Sequence, residues 1–447
     1  MVVFLLISES SLSNMRFLDS LRSLGMTIGV RSLGMTRRHS FIMISLGILL
    51  LAGCRSDMYV KVCNPTDVDR HPEMAELTLD QVKCALNLEE GETFIIYSKD
   101  KEVPYQLTYD NKVIFPVQLK AKEKQTFRLQ KGTPTEPVVK VCGSQYPERI
   151  DDFCWENDLL GFRLYGYMED SPSGYDFFVK RGTDLPVVKE FYRKALDPEM
   201  KRIEKEIATF DKDSAARFNC DHMSLHVDHG YGMDCYGVGK TLGAGVAALV
   251  DNGEIVYPFC YDSFEILENG PIRFTLKMVF RPFEAGECKD IVETRIFTLD
   301  LGSHFTKTSV SYEGLDKVMP IVTGIVVQDT DGKAVGEAEK GYIAYPAPTI
   351  NYDKQREVDN GTIYVGNVFP FALDSAGLCY FSEEESKTRG GAKGHILAHS
   401  QYEPQKPFVY YWGHGWDHAD IASYEQWIDY TERFAIMVRN PLNITIK

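Results

Sequence analysis

From residue 245 to residue 412 the chain is written largely in period two. Segments 272–280, 294–299, 306–312, 321–327, 363–365, 378–381 and 408–412 are short runs rich in β-branched and aromatic residues, many alternating apolar with polar. Successive side chains of a strand point to opposite faces, so this pattern specifies antiparallel strands with one face on a core and one face wet. Residues 58–131 repeat it on a smaller scale, in segments 58–62, 93–97, 105–109, 113–117 and 126–130, with turns such as 98–101 and Asp110-Asn111 between them. Helical spacing is confined to 185–210, broken at Asp197-Pro198, and to a C-terminal stretch running to about residue 438. A Ser423-x-x-Gln426 capping box opens the second stretch. The expectation is a mainly β fold. A small N-terminal β-module occupies 54–135, and a large antiparallel β-supersandwich with a few helices occupies 136–447.

Residues 1–53 stand outside that fold. Arg37-Arg38-His39 is a short basic region, and 41–51 is an apolar run too short to span a bilayer comfortably. Leu51-Ala52-Gly53-Cys54 resembles the lipobox of bacterial lipoproteins, which makes Cys54 the lipidated N-terminus. Upstream, Arg22-Ser23-Leu24-Gly25-Met26-Thr27 recurs intact at 31–36, which reads as a misplaced start with Met35 as the true one. Residues 1–53 are thus a mis-started leader and signal peptide. The expected location is a bacterial envelope membrane, the outer one, with the protein facing periplasm or surface.

The leader holds five arginines and two acidic residues, so the chain from Cys54 carries 44 basic and 62 acidic side chains, a net charge of −18. That excludes nucleic acid and a polybasic membrane contact as partners, but it allows a glycan bound through local cations. Nine further cysteines, odd in number and without a CxxC, are neither a disulfide framework nor a zinc knuckle. They read as small apolar residues, most of them buried.

All four tryptophans lie in two polar stretches. Trp155 sits in Asp151-Asp152-Phe153-Cys154-Trp155-Glu156-Asn157-Asp158. Trp412 and Trp416 flank Gly413-His414-Gly415, and Trp427 follows. Indole faces among carboxylates, amides and imidazoles suit a ligand with apolar C–H faces and many hydroxyls, which is a sugar. Glu156, Asn157, Arg163, Tyr175, Asp176, Lys180 and His414 join Trp155, Trp412 and Trp416 as candidate substrate-binding residues. The densest chemistry is Leu225-His226-Val227-Asp228-His229-Gly230-Tyr231-Gly232-Met233-Asp234-Cys235-Tyr236. Here His226, His229, Asp228, Asp234, Tyr231 and Tyr236 are candidate acids, bases and proton donors. The residues call for no cofactor. His226, Asp228 and His229 are the one set offering N and O ligands to a divalent metal, at a spacing that matches no zinc template.

The ordered motifs Asp152-Phe153-x-Trp155-Glu156-Asn157-Asp158, Phe162-Arg163-Leu164-Tyr165-Gly166, Gly174-Tyr175-Asp176, Lys180-Arg181, His226-x-Asp228-His229-Gly230-x-Gly232-x-Asp234-x-Tyr236-x-Val238-Gly239, Gly243-x-Gly245 and Gly270-Pro271-Ile272-Arg273 resemble domain-of-unknown-function family 4861. The resemblance covers nearly the whole chain after the leader. It implies a galactose-mutarotase-like supersandwich and an exported protein of a polysaccharide-utilisation locus, more than it implies a reaction.

Several readings remain open at this level. In a lyase, Arg163 or Asn157 neutralises a uronate carboxylate, His226 or His229 removes the C5 proton, and Tyr231 or Tyr236 protonates the leaving oxygen. In a glycoside hydrolase, Asp228 and Asp234 flank the bond. An epimerase or mutarotase needs a histidine acid and a carboxylate base. A non-catalytic glycan-binding lipoprotein needs only the indoles. Trp155, Trp412 and Trp416 are expected to share one cleft with the 226–236 loop. For the anchor, Cys54→Ala is expected to move the protein from the membrane to the soluble fraction; unchanged fractionation rejects lipidation.

Overall fold

The computed structural model describes residues 57–166, 174–182 and 186–447. The leader and Cys54 lie outside the described residues. A nine-stranded antiparallel sheet is the backbone of the fold. Its order is Tyr261–Asn269, Arg273–Phe280, Cys288–Asp300, Phe305–Glu313, Phe408–Trp416, Thr362–Val368, Tyr342–Pro348 and Val335–Glu337, with Phe283–Ala285 added against Cys288–Asp300. Cys288–Asp300 alternates buried and partly exposed positions along most of its length, as its sequence requires.

Two five-stranded sheets pack on the inner face of this large sheet. One runs Gly232–Met233, Asp176–Lys180, Gly161–Leu164, Asp152–Glu156, Cys142–Tyr146. The other runs Glu254–Ile255, Ala244–Asp251, Met319–Val327, Gly394–Tyr402, Ser375–Tyr380. An isolated parallel bridge between Tyr175 and Gly243 joins them, and the Ala244 N–H donates to the Tyr175 carbonyl at 2.9 Å. Gly243 has φ +60, and a Cβ there would collide with that carbonyl, so only glycine lets the two chains meet. One continuous core fills the space between the layers.

Residues 58–131 form a module with a separate core around Val60, Phe115, Phe127 and Leu129. Its sheet is closed by the other end of the chain: Asn443–Ile446 pairs with Met58–Cys63, with Val60 opposite Ile446.

The 185–210 stretch contains helices Val188–Ala195 and Pro198–Ala208, with Asp197 capping the second. The C-terminal helix is Tyr424–Arg439, capped by Ser423. Helices also occur at Leu79–Leu86, Lys212–His222 and Glu383–Thr388, beyond the two stretches where helical spacing is visible in the sequence. The nine cysteines are free thiols. Cys154, Cys235 and Cys260 are buried, whereas the other six are half-buried or exposed, so the expectation of mostly buried cysteines is corrected.

Two core histidines make the fold acid-sensitive. His395 accepts the Leu242 N–H at Nε2 (3.1 Å), and His414 Nε2 lies 3.2 Å from the Phe178 carbonyl. Burial pushes each imidazole down from 6.5 to about 3. Below about pH 6.5 the unfolded chain therefore takes up protons that the fold refuses. Stability is full above that pH and falls as pH drops, by about 1.4 kcal/mol per unit for each imidazole. Thermal melts are expected to show a falling midpoint between pH 7 and pH 5, with a shallower fall in His395→Gln. Equal slopes would refute the assignment.

Candidate functional site

The strand Asp176–Lys180 is buried on both faces, and its alternation sorts the candidate residues. Tyr175, Phe177 and Val179 enter the main core. Tyr175 stacks on Trp412 with ring centroids 4.2 Å apart, and its hydroxyl receives Arg295 Nη1–H at 2.9 Å. Asp176, Phe178 and Lys180 point the other way, toward the helical layer and the polar cluster. Phe178 meets Phe191 of Val188–Ala195.

The indoles belong to the core. Trp155, Trp412 and Trp416 are each 2 % exposed or less. Trp155 Nε1–H donates to Thr306 Oγ1 (3.1 Å), Trp412 Nε1–H to Thr308 Oγ1 (2.9 Å), and Trp416 Nε1–H to the Asn360 carbonyl (2.7 Å). Trp155 and Trp412 meet edge to face at 6.1 Å. None of the three offers a face to a sugar, which corrects the expected stacking platform. The polar neighbours seen in sequence face other layers or supply buried hydrogen bonds.

Other expected ligands are also structural. Asn157 spends its whole amide inside the protein, donating to the Asp300 and Ser303 carbonyls at 2.8 Å and accepting the Leu159 and Leu160 N–H groups. Glu156 accepts Lys180 Nζ at 2.7 Å and the Val187 and Val188 N–H groups at 2.8 Å. It thereby caps, from a neighbouring strand, a helix whose own N-cap residue is valine. Lys180 is buried against Glu156 and the Asn157 carbonyl. His414 stacks on Phe177 at 3.8 Å inside the core. Tyr236 donates its hydroxyl to the Gly243 carbonyl (3.2 Å) and stacks on Phe177, so it protonates no leaving group.

A polar cluster survives at the edge of the Gly161–Leu164 sheet. Arg163 is buried between two carboxylates. Its Nε donates to Asp176 Oδ2 at 2.9 Å, and its Nη2 bonds Asp176 and, at 2.7 Å, Asp234. Tyr165 donates to Asp176 Oδ2 at 2.6 Å. Burial pushes the Asp176 carboxyl up, to about 6, against the pull of Arg163. Arg163 Nη1 is buried with no hydrogen-bond partner among the described residues.

His226 hangs on the outer side of this cluster. Its Nδ1 lies 2.9 Å from the Asp234 carbonyl and 3.3 Å from Asp234 Oδ2, which fixes the proton on Nδ1 and leaves Nε2 as a base. Its side chain is 28 % exposed. Tyr352 stacks on the imidazole with centroids 4.3 Å apart, and its phenol is pushed up to about 12 by burial and by Asp234 and Asp176. Sequence reasoning missed Tyr352, which comes from a loop more than a hundred residues away, and Tyr165, which was visible only as part of a motif.

The rest of the 226–236 loop turns elsewhere. Asp228 accepts the Gly230 and Gly232 N–H groups and Arg181 Nε (2.5 Å). Despite partial burial, these donors hold its carboxyl below the usual range. His229 Nε2 lies 3.1 Å from the Ser224 carbonyl, and burial lowers its pKa. Tyr231 is 47 % exposed, under the Lys194 ammonium. His226, Asp228 and His229 thus point to three different partners. Among the described residues no three His, Cys, Asp or Glu side chains converge to hold a metal ion.

The fold and cluster define a class: an antiparallel β-supersandwich with a buried Arg–carboxylate cluster that positions a half-exposed histidine. The family model described as "Domain of unknown function (DUF4861)" matches residues 62–444, and the chain belongs to that family. It is 24% identical over 414 residues to "Uncharacterized protein P7" of Formosa agariphila, across 87% of this chain and 93% of that protein. Among solved structures it is similar to an alpha-mannosidase from Enterococcus faecalis V583 (TM-score 0.42, 9% identity, 92% of this chain and 48% of that one). A Glycosyl Hydrolase Family 38 protein from Enterococcus faecalis has TM-score 0.38 and 9% identity, over 92% of this chain and 50% of that one. The chain spans about half the length of these two structures.

Because Trp412 is core, Trp412→Ala is expected to destabilise the fold by about 3–5 kcal/mol in denaturant melts. An unchanged midpoint would return the indole to the surface.

Proposed function

We propose that the protein is an exported carbohydrate-active enzyme that cleaves a uronate-containing glycan by β-elimination. The observation that carries this reading is His226: Asp234 holds its Nδ1, and among the described residues no hydrogen bond reaches its half-exposed Nε2. His226 Nε2 takes the C5 proton of the uronate, and the electron pair of that C–H bond forms the C4–C5 double bond as the C4–O bond breaks. Tyr352, protonated at neutral pH, gives its proton to the leaving oxygen. Asp234 is a positioning residue. Arg163 and Asn157, both buried, have no exposed group for the substrate carboxylate; Arg163 acts by fixing Asp234.

A hydrolase reading fits less well. A glycosidase acid needs a raised carboxyl, whereas Asp228 is lowered and Asp234 is committed to Arg163. The binding-only reading loses its stacking platform, since the indoles are covered. Wild type is expected to release unsaturated oligouronides from a pectic or other acidic polysaccharide, seen by absorbance and product mass. His226→Ala and Tyr352→Phe are each expected to cut turnover about a hundredfold or more with little change in melting. Full activity in His226→Ala, or no elimination product from any acidic glycan, would overturn the proposal.

A further inference from the structure

A cavity of about 340 Å³ lies away from the His226 cluster, between the N-terminal module, the outer face of the nine-stranded sheet and the C-terminal helix. Its walls are charged, and nearly every cation in them is matched. Arg70 pairs with Glu73, and Lys112 with Glu76 (3.1 Å) and Asp110 (3.0 Å). Arg273 holds Asp300 at 2.5 Å and Glu76 at 2.8 Å. Lys307 is the exception: it lines the same cavity, and its ammonium makes no ion pair or hydrogen bond among the described residues. Strand alternation puts it there. Thr306 and Thr308 face inward to Trp155 and Trp412, so Lys307 between them faces out. Burial lowers its pKa, with Arg273 adding to the effect against the pull of Glu76 and Asp300. An ammonium held in such a place gains from any anion brought to it.

The remaining wall suits a sugar ring. Tyr411, Phe434 and Met437 supply apolar surface, and the carboxylates of Glu73 and Glu268, already accepting from Arg70 and from Gln106, keep further lone pairs for hydroxyl donors. The volume is at the small end for a ligand pocket, enough for one or two sugar units.

We propose that this cavity is a second saccharide site, separate from the His226 cluster, and that it binds a sugar bearing one anionic group, carboxylate or sulfate, with the anion on Lys307. Only the choice of a sugar as ligand rests on the glycan reading above; the anion preference rests on Lys307 itself. The test is therefore made in a His226→Ala background, where loss of catalysis does not interfere. Titration calorimetry would compare galacturonate, a galactose sulfate, neutral galactose and inorganic sulfate. Saturable binding of either anionic sugar over galactose and over inorganic sulfate supports the proposal, and the tighter of the two identifies the anion. Lys307→Met is expected to weaken that binding about tenfold or more, and Lys307→Arg to retain most of it. Four outcomes would overturn the site: no anionic sugar binding, equal binding of galactose, binding of inorganic sulfate as tight as the sugars, or affinity unaltered in Lys307→Met with an unchanged melting midpoint.

Discussion

One guanidinium buried between two carboxylates fixes the geometry on which the candidate site depends. Arg163 comes from the strand Gly161–Leu164, Asp176 from Asp176–Lys180, and Asp234 from the chain just after Gly232–Met233. Three successive strands of one sheet are thereby tied by charge as well as by their ladder. Removing Arg163 would strand two carboxylates out of water, a loss of about 3–5 kcal/mol. A buried pair of this kind adds little over an apolar replacement, but it admits only one arrangement of its members. Asp234, held on one side by Arg163, is the residue that orients His226 on the other.

The same logic runs through the core. Glu293 and Arg295 are a second buried pair, and Arg295 reaches the Tyr175 hydroxyl, which lies 3.3 Å from that of Tyr410. Thr306 and Thr308 exist in a dry layer because two indole N–H groups need acceptors there. Tyr175 and Asp176 are adjacent, one in this aromatic core and the other in the Arg163 cluster. A shift of one residue in the register of that strand would exchange their roles and break both networks. Core and site are therefore held to a single register.

The strands were legible because burial on alternate faces leaves a period in the sequence. The helix Lys212–His222 was not, because only Ala215 of its eleven residues is buried, so it has no apolar stripe to betray it. Leu79–Leu86 did carry a sign, the Thr78-x-x-Gln81 capping box, but it is short and lies among strands. The tryptophans misled for a physical reason. A polar neighbourhood along the chain says that the adjacent side chains meet something polar, not that the indole does. In a strand the neighbours point away, and in this one Glu156 caps a helix while Trp155 fills the core. His226 and Asp234 were findable because they share a loop; Tyr352 was not, since nothing local links it to them.

Alternation also explains how one fold can hold two polar clusters without weakening its core. On the strand Phe305–Glu313, Thr306 and Thr308 complete the interior while Lys307 enters the outer cavity. On residues 175–180 the inner side chains Tyr175 and Phe177 pack against Trp412, His414 and Tyr236, and Asp176 serves the Arg163 cluster. Each strand satisfies its buried polar atoms on one face and offers charge on the other. A substitution at Lys307 thus removes a charge from a cavity wall without touching an indole partner, whereas one at Thr306 or Thr308 leaves a buried N–H without its acceptor. The sheet keeps these two kinds of change apart, which is the condition for varying a ligand site on a fixed scaffold.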